Sequence, residues 1–166
     1  MKVTDRFLLG IVAGIALLVV VAFLLVLNRK ELTYQSEDTP QGVAHNYLLA
    51  LQERDYERAF GYLSPDLAGY PQSVDEFAGD LKQFTSYIHR PEDTSFLVKS
   101  SQVSGTRATV QVQVTSFSGG DLFSSRSNIS TFEFRFRMID ERWKIFDADE
   151  FFAFCWKEQA GCLTGN

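Results

Sequence analysis

The sequence predicts an α+β protein: one long apolar helix, about three shorter helices, then a meander of four antiparallel strands. Three observations carry that reading. Phe7–Leu27 is an unbroken apolar run with no charge, no proline and no polar side chain. Between residues 40 and 88 apolar side chains recur at helical spacing. From Thr94 onward apolar and polar residues alternate with a period of two, the mark of a half-buried strand.

The apolar run comes first. A helix of about 21 residues spans roughly 32 Å, close to the hydrocarbon thickness of a bilayer. Residues 7–28 are therefore expected to form a transmembrane helix, with membrane lipid as its partner and residues 1–6 as a short tail. No small-x-small cleavage site and no lipid-accepting Cys follows it, so the anchor is expected to stay uncleaved. Lys2 and Arg6 on one side balance Arg29 and Lys30 on the other, so flanking charge does not fix orientation. The short tail is easily left inside. The expectation is a single-pass protein of the plasma membrane, amino terminus cytoplasmic and the remainder exported. Gly10 and Gly14 stand one turn apart, a spacing that lets two helices approach and allows a homodimer. Glycine is also simply common in membrane helices, and both readings stay open.

Residues 29–39 read as a short tether that keeps the following domain near the membrane. Thr39-Pro40 then starts a helix, with Thr as N-cap and Pro at the first helical position. Val43, Ala44, Tyr47, Leu48 and Leu51 form its apolar stripe. Arg54-Asp55 breaks it, and Asp55 caps a second helix with Tyr56, Ala59, Phe60 and Leu63 on one face. Ser64-Pro65 stops that helix. Ser73 and Glu76 form a capping box for a third, carrying Val74, Phe77, Leu81, Phe84 and Ile88 and ending at Arg90-Pro91. Phe96–Val103 is the first strand and Ser104–Thr106 a tight turn. In the next, Ala108, Val110, Val112 and Val114 oppose Thr109, Gln111, Gln113 and Thr115. Residues 118–127 read as a loop around Gly119-Gly120. Ile129–Ile139 opposes Phe132, Phe134, Phe136 and Met138 to Thr131, Glu133, Arg135 and Arg137. Asp140-Glu141 turns the chain into a last strand, Trp143–Ala148.

The segment PQGVAHNYLLALQERDYERAFGYLSP resembles the opening of nuclear-transport-factor-2-like, or cystatin-like, domains. Leu48, Leu51, Asp55, Tyr56, Ala59, Phe60, Leu63 and Ser64 carry the likeness, and ATVQVQV and WKIFD resemble the family's long strands. The resemblance covers residues 40–150. It implies a cone-shaped domain, helices packed on a curved four-stranded sheet, whose open end holds a small molecule or a partner. It says little about activity, because the same fold serves enzymes, transport factors and structural subunits.

Composition narrows the partners. The chain's formal charge is −5, with 16 basic and 21 acidic residues. The first 30 residues hold Lys2, Arg6, Arg29 and Lys30 against Asp5 alone. The rest therefore holds 12 basic and 20 acidic residues, a net of −8. An acidic domain is a poor nucleic-acid binder, and no such partner is expected.

Chemistry is sparse. His45 and His89 stand 44 positions apart and no His lies near the two Cys, so no metal site is expected. No cofactor motif is present. Enzymes that resemble this layout use cavity-lining Asp, Tyr or His to move protons. The candidates for lining the cone are Tyr47, Trp143 and Asp147, the last sharing strand parity with Trp143 and Ile145. They match no catalytic pattern, and no catalytic residue is assigned. Arg135, Arg137, Arg142 and Lys144 either bind an anionic group or acidic partner or, interleaved as they are with Glu133, Asp140 and Glu141, form an ordinary charged sheet face, and the interleaving favours the second.

Residues 151–166 form an aromatic tail. Phe151, Phe152, Phe154 and Trp156 either plug the cone or present an apolar surface to a partner. Cys155 and Cys162 close a short loop if the domain is exported, and stay buried thiols if not. The functional expectation is a non-enzyme: a membrane-anchored accessory or assembly subunit of a membrane or cell-envelope complex, with a protein partner. The alternative is a small-ligand-binding domain using the cone cavity, and a proton-transfer enzyme stands third.

Overall fold

The computed structural model describes residues 3–27, 33–85, 94–121 and 124–162. The chain divides into two units, Met1–Thr33 and Tyr34–Asn166.

The first unit is one helix, α1 (Val3–Leu27). Every side chain described on it, residues 8–24, is exposed, including Gly10 and Gly14. Nothing approaches within 4 Å of a Cβ built at either glycine. At 1.5 Å per residue those positions cover about 26 Å, short of the roughly 30 Å of a bilayer core. Among the described residues no helix is long and apolar enough to cross a membrane. The expected span over residues 7–28 is corrected to that extent: a helix is present, a crossing is not established by it.

The second unit contains α2 (Pro40–Glu53), α3 (Tyr56–Gly61), α4 (Val74–Phe84), β1 (Thr94–Ser104), β2 (Arg107–Asp121), β3 (Ser124–Ile139) and β4 (Arg142–Ala148). The four strands form one antiparallel sheet in sequence order. The caps fall where the residue types place them. Thr39 accepts from the Gly42 amide, Asp55 from Arg58, and Ser73 from Glu76. Glu76 reaches back to the amide of Gln72 rather than to that of Ser73. Arg54 ends α2 in the left-handed region, at φ 61°. The expected end of the third helix, at Ile88 and Arg90-Pro91, lies outside the described residues.

Ala108, Val110, Val112 and Val114 of β2 and Phe132, Phe134 and Phe136 of β3 form the buried face of the sheet. Against it pack Val43, Ala44, Tyr47, Leu48 and Leu51 of α2, and Phe77 and Leu81 of α4 join the same core. Each large apolar side chain so buried contributes about 1.5–3 kcal/mol. Asp140 and Glu141, both at positive φ, make the two-residue turn into β4.

Two expectations change. Residues 118–121 and 124–127 are strand, not loop: β2 and β3 continue pairing from Phe117–Ser127 to Asp121–Ser124 across a register shift, because strand pairing extends well past the apolar rows. The tether ends earlier than residue 39. Tyr34–Asp38 lies back along α2, where Gln35 exchanges two hydrogen bonds with Asn46, of 2.7 and 2.8 Å. That cover explains why α2 is buried almost all round, Asn46 included. The outer edge of β4 is closed by Tyr62–Ser64, which bonds both ways with Ile145.

After β4 the chain folds back. A 3-10 turn at Phe154–Lys157 and the Cys155–Cys162 disulfide shape a compact loop. It docks on Gly69, whose amide donates to the Trp156 carbonyl at 2.9 Å. A Cβ at Gly69 would meet the carbonyl oxygens of Cys155 and Glu158 and the Gly161 Cα, each at 2.6 Å. All three are backbone atoms and cannot step aside singly. Gly69→Ala is expected to lower stability by about 1–3 kcal/mol, the usual cost of overpacking, read from urea unfolding of the purified protein. A variant as stable as the parent would mean that the loop docks elsewhere.

Candidate functional site

The open end of the sheet is closed by the protein's own tail. Phe151, Phe152, Cys155 and Trp156 are buried, while Phe154 stays 58% exposed. The Trp156 ring stacks on Phe77 at 5.2 Å between centroids, with 18° between planes. Its indole N–H donates to Asp80 Oδ2 at 2.7 Å. Phe152 meets the same indole edge-on, at 4.9 Å. Phe151 packs against Phe96 and Phe132. It sits at φ 58°, a costly position for an aromatic residue. The Tyr47 hydroxyl holds it there, donating to its carbonyl at 2.6 Å. Burial pushes the Tyr47 phenol well above its ordinary range, so it remains a donor throughout the working pH range.

The cavity-lining candidates therefore part company. Tyr47 is in the core, committed to the tail. Trp143 is buried at the sheet's end beside a surface cleft. Asp147 is not inside. β4 carries one extra residue, Phe146, so Ile145 pairs with Phe136 but Asp147 pairs with Arg135. That bulge reverses the parity shared by Trp143 and Ile145, and turns the carboxylate to the outer face. There Asp147 accepts from Arg135 at 2.8 Å and Lys157 at 2.7 Å, and Arg135 also reaches Asp149 at 3.0 Å. Arg137 lies over the Phe146 ring at 4.4 Å. Sequence alternation alone could not find the bulge, because WKIFDAD reads as an unbroken strand. A ligand inside the cone would need the tail to leave.

The cleft beside Trp143 has a volume of about 480 Å³ and opens to solvent between Glu37, Arg58, Tyr62, Glu141, Arg142 and Lys144. Tyr62 donates to Glu37 at 2.7 Å and accepts from Arg58 at 3.0 Å. The Arg58 guanidinium lies 3.4 Å over the Tyr34 ring. Lys144 donates to the Gly61 carbonyl. Burial and the neighbouring Arg142 lower its amine's pKa, against an opposing pull from Glu37. Within the cleft Arg58 and Glu37 form an ion pair at 3.4 Å, and the sequence, which places Arg142 and Lys144 on a charged sheet face, gives no sign of Glu37 beside them. Among the described residues no group of three or more His, Cys, Asp and Glu gathers as a metal site.

No family model matches the chain, and no curated protein matches it. Solved structures do. A SEC-C motif containing protein from Rhodopseudomonas palustris is 18% identical over 70% of this chain and 81% of its own, with a TM-score of 0.49. An NTF2-like protein with a cystatin-like fold from Novosphingobium aromaticivorans is 15% identical over 65% and 75%, at 0.47. A protein of the NTF2-like family from Streptomyces avermitilis, proposed to be a dehydratase, is 16% identical over 64% and 87%, at 0.42. That name, with those of two further neighbours proposed to be hydroxylases, corrects the expectation of a non-enzyme, which is not carried further. The dehydratase assignment belongs to that protein.

Two measurements separate the parts of this site. Tyr47→Phe leaves the Phe151 carbonyl without its donor and is expected to cost about 1–3 kcal/mol. Asp147→Asn, on the solvated face, is expected to cost no more than about 1 kcal/mol. Equal losses in denaturant unfolding would contradict this division. Asp80 gives a pH test. Burial raises its pKa, opposed by the Trp156 bond and assisted by Glu76. The folded state therefore holds this proton more tightly than the unfolded chain does. The stability it contributes is complete below about pH 4 and is lost as pH rises through its raised pKa. Asp80→Asn keeps the acceptor and cannot ionise. Its stability relative to the parent should increase over that rise, and a pH-independent difference in thermal midpoint would count against the assignment.

Proposed function

We propose that this chain is a membrane-tethered accessory or assembly subunit of a membrane or cell-envelope complex. Its folded unit, of the nuclear-transport-factor-2-like class, serves as a protein-binding module. The observation that carries the reading is the character of α1. Its described side chains are apolar on every side, and all of them are exposed. A helix apolar all round needs lipid or protein about it. The full run Phe7–Leu27 has the length and composition of a span. The orientation proposed is amino terminus in the cytoplasm and the folded unit outside. The Cys155–Cys162 bond supports an oxidising surrounding. Self-association through Gly10 and Gly14 is part of the same proposal.

The module reading draws on the filled cone, where the tail occupies the place a small ligand would take. What remains available to a partner is surface. The test has two arms on the full chain. Carbonate-washed membranes should retain the protein, and thiol reagents added to intact cells should label Cys155 and Cys162 only after reduction. Purification in mild detergent should bring down a stoichiometric partner. Release by carbonate would remove the tether, and a partner-free monomer would remove the subunit role.

A further inference from the structure

The outer face of the sheet ends in a row of cations. The register sets Arg107 on β2 directly opposite Arg137 on β3, and Arg137 directly opposite Lys144 on β4. Arg142 stands two residues before Lys144 on the same strand. The Met138 amide donates to the Thr106 carbonyl at 2.9 Å, so the adjoining Arg107–Arg137 pair is a non-hydrogen-bonded one. Side chains stand closest in such pairs, and like charges there oppose the pairing of the strands. The register cannot slip to relieve this. A shift of one residue would turn the Val row of β2 and the Phe row of β3 out of the core.

Acids are not scarce. Residues 31–166 hold 20 acidic side chains against 12 basic ones. One row further along the face, Arg135 takes both Asp147 and Asp149, and Lys157 shares Asp147. Yet among the described residues Arg107, Arg137, Arg142 and Lys144 form no ion pair. Arg137 lies over the Phe146 ring and Lys144 donates to the Gly61 carbonyl, and neither contact neutralises a charge. Beside the row is a hollow of about 310 Å³, with Gln102, Ser104, Arg107, Thr109, Arg135 and Phe146 in its lining. No carboxylate lines it. Ser104 is the β1 residue opposite Arg107, so the row continues onto the fourth strand as a hydroxyl.

We propose that Arg107 and Arg137 are the two arms of an oxyanion site, and that the hollow beside them takes a phosphate or a phosphate ester. Two neighbouring guanidiniums present their forks to one tetrahedral group, and planar forks match phosphate oxygens in pairs. A dianion suits the site better than a carboxylate does, because the row holds several positive charges with no counter-charge. The hydroxyls of Ser104 and Thr109 add donors, and Phe146 adds apolar contact for an organic body. The bound group removes the repulsion that the register enforces. The site belongs to the folded unit and stands whether or not α1 enters a membrane.

The test is calorimetric titration of the full chain, in mild detergent, with inorganic phosphate, phenyl phosphate and benzoate. Arg107→Gln and Arg137→Gln should each weaken phenyl phosphate binding by about tenfold or more, as expected for a lost charge-assisted bond. Arg107→Lys keeps the charge without the fork and should bind with intermediate strength. Lys99→Gln makes the same charge change elsewhere on the sheet and should leave binding unchanged. Both arginines are exposed, so their variants should keep the parent's thermal midpoint without ligand and lose only its rise with ligand. Tighter binding of phenyl phosphate than of inorganic phosphate would assign an ester, equal binding would assign the free anion, and either supports the site. Benzoate bound as tightly as phenyl phosphate would overturn the choice of a dianion. An equal loss in Lys99→Gln would reduce the effect to general charge attraction and overturn the site. Unchanged binding in both arginine variants, or no saturable binding by the parent, would overturn it as well.

Discussion

The structure of the folded unit depends on where one indole goes. Trp156 stacks on Phe77, bonds to Asp80 and is met edge-on by Phe152. The stack gives the tail its depth and the hydrogen bond gives it its register. Asp80 is a costly residue to bury, and it stays because the indole N–H satisfies one of its two oxygens. Without the indole, α4 would hold a carboxylate against a hydrophobic wall. The helices and the sheet are thus completed by a segment that belongs to neither.

That dependence explains which features were legible in the sequence. Local signals were strong wherever one residue type has one job. Thr39-Pro40, Asp55 and Ser73 set three helix starts, and the Val row of β2 and Phe row of β3 set the buried face. These effects act within a turn or across one strand pair. What was hidden needed geometry between distant parts. The extra residue at Phe146 turns Asp147 outward, yet nothing in WKIFDAD marks it. Asn46 anchors Gln35 because the entering chain lies along α2, a contact that no local pattern announces. The requirement for Gly69 comes from the backbone of Cys155, Glu158 and Gly161, far along the chain.

The candidate site shows the same division more sharply. Tyr47 belongs to the apolar stripe of its helix and Asp147 shares strand parity with Trp143, so the sequence points all three to one interior. The fold sends them to three places: a core hydrogen bond, the margin of a cleft and an outer ion-pair network. The aromatic tail was recognisable as a plug or a surface, but only three-dimensional packing separates Phe154 from its buried neighbours. Glu37 was invisible as a partner for Tyr62 and Arg58, since it lies in a stretch with no pattern of its own.

The tail's contacts also impose an order on folding. Tyr47 waits for Phe151 across 104 positions, and Asp80 waits for Trp156 across 76. Contacts of such separation form late, after the loop-closure entropy has been overcome. Until the tail docks, the helices and sheet lack the aromatic layer that closes them, and their apolar wall stays uncovered. The folding of this unit is therefore completed by a segment that lies outside its helices and strands.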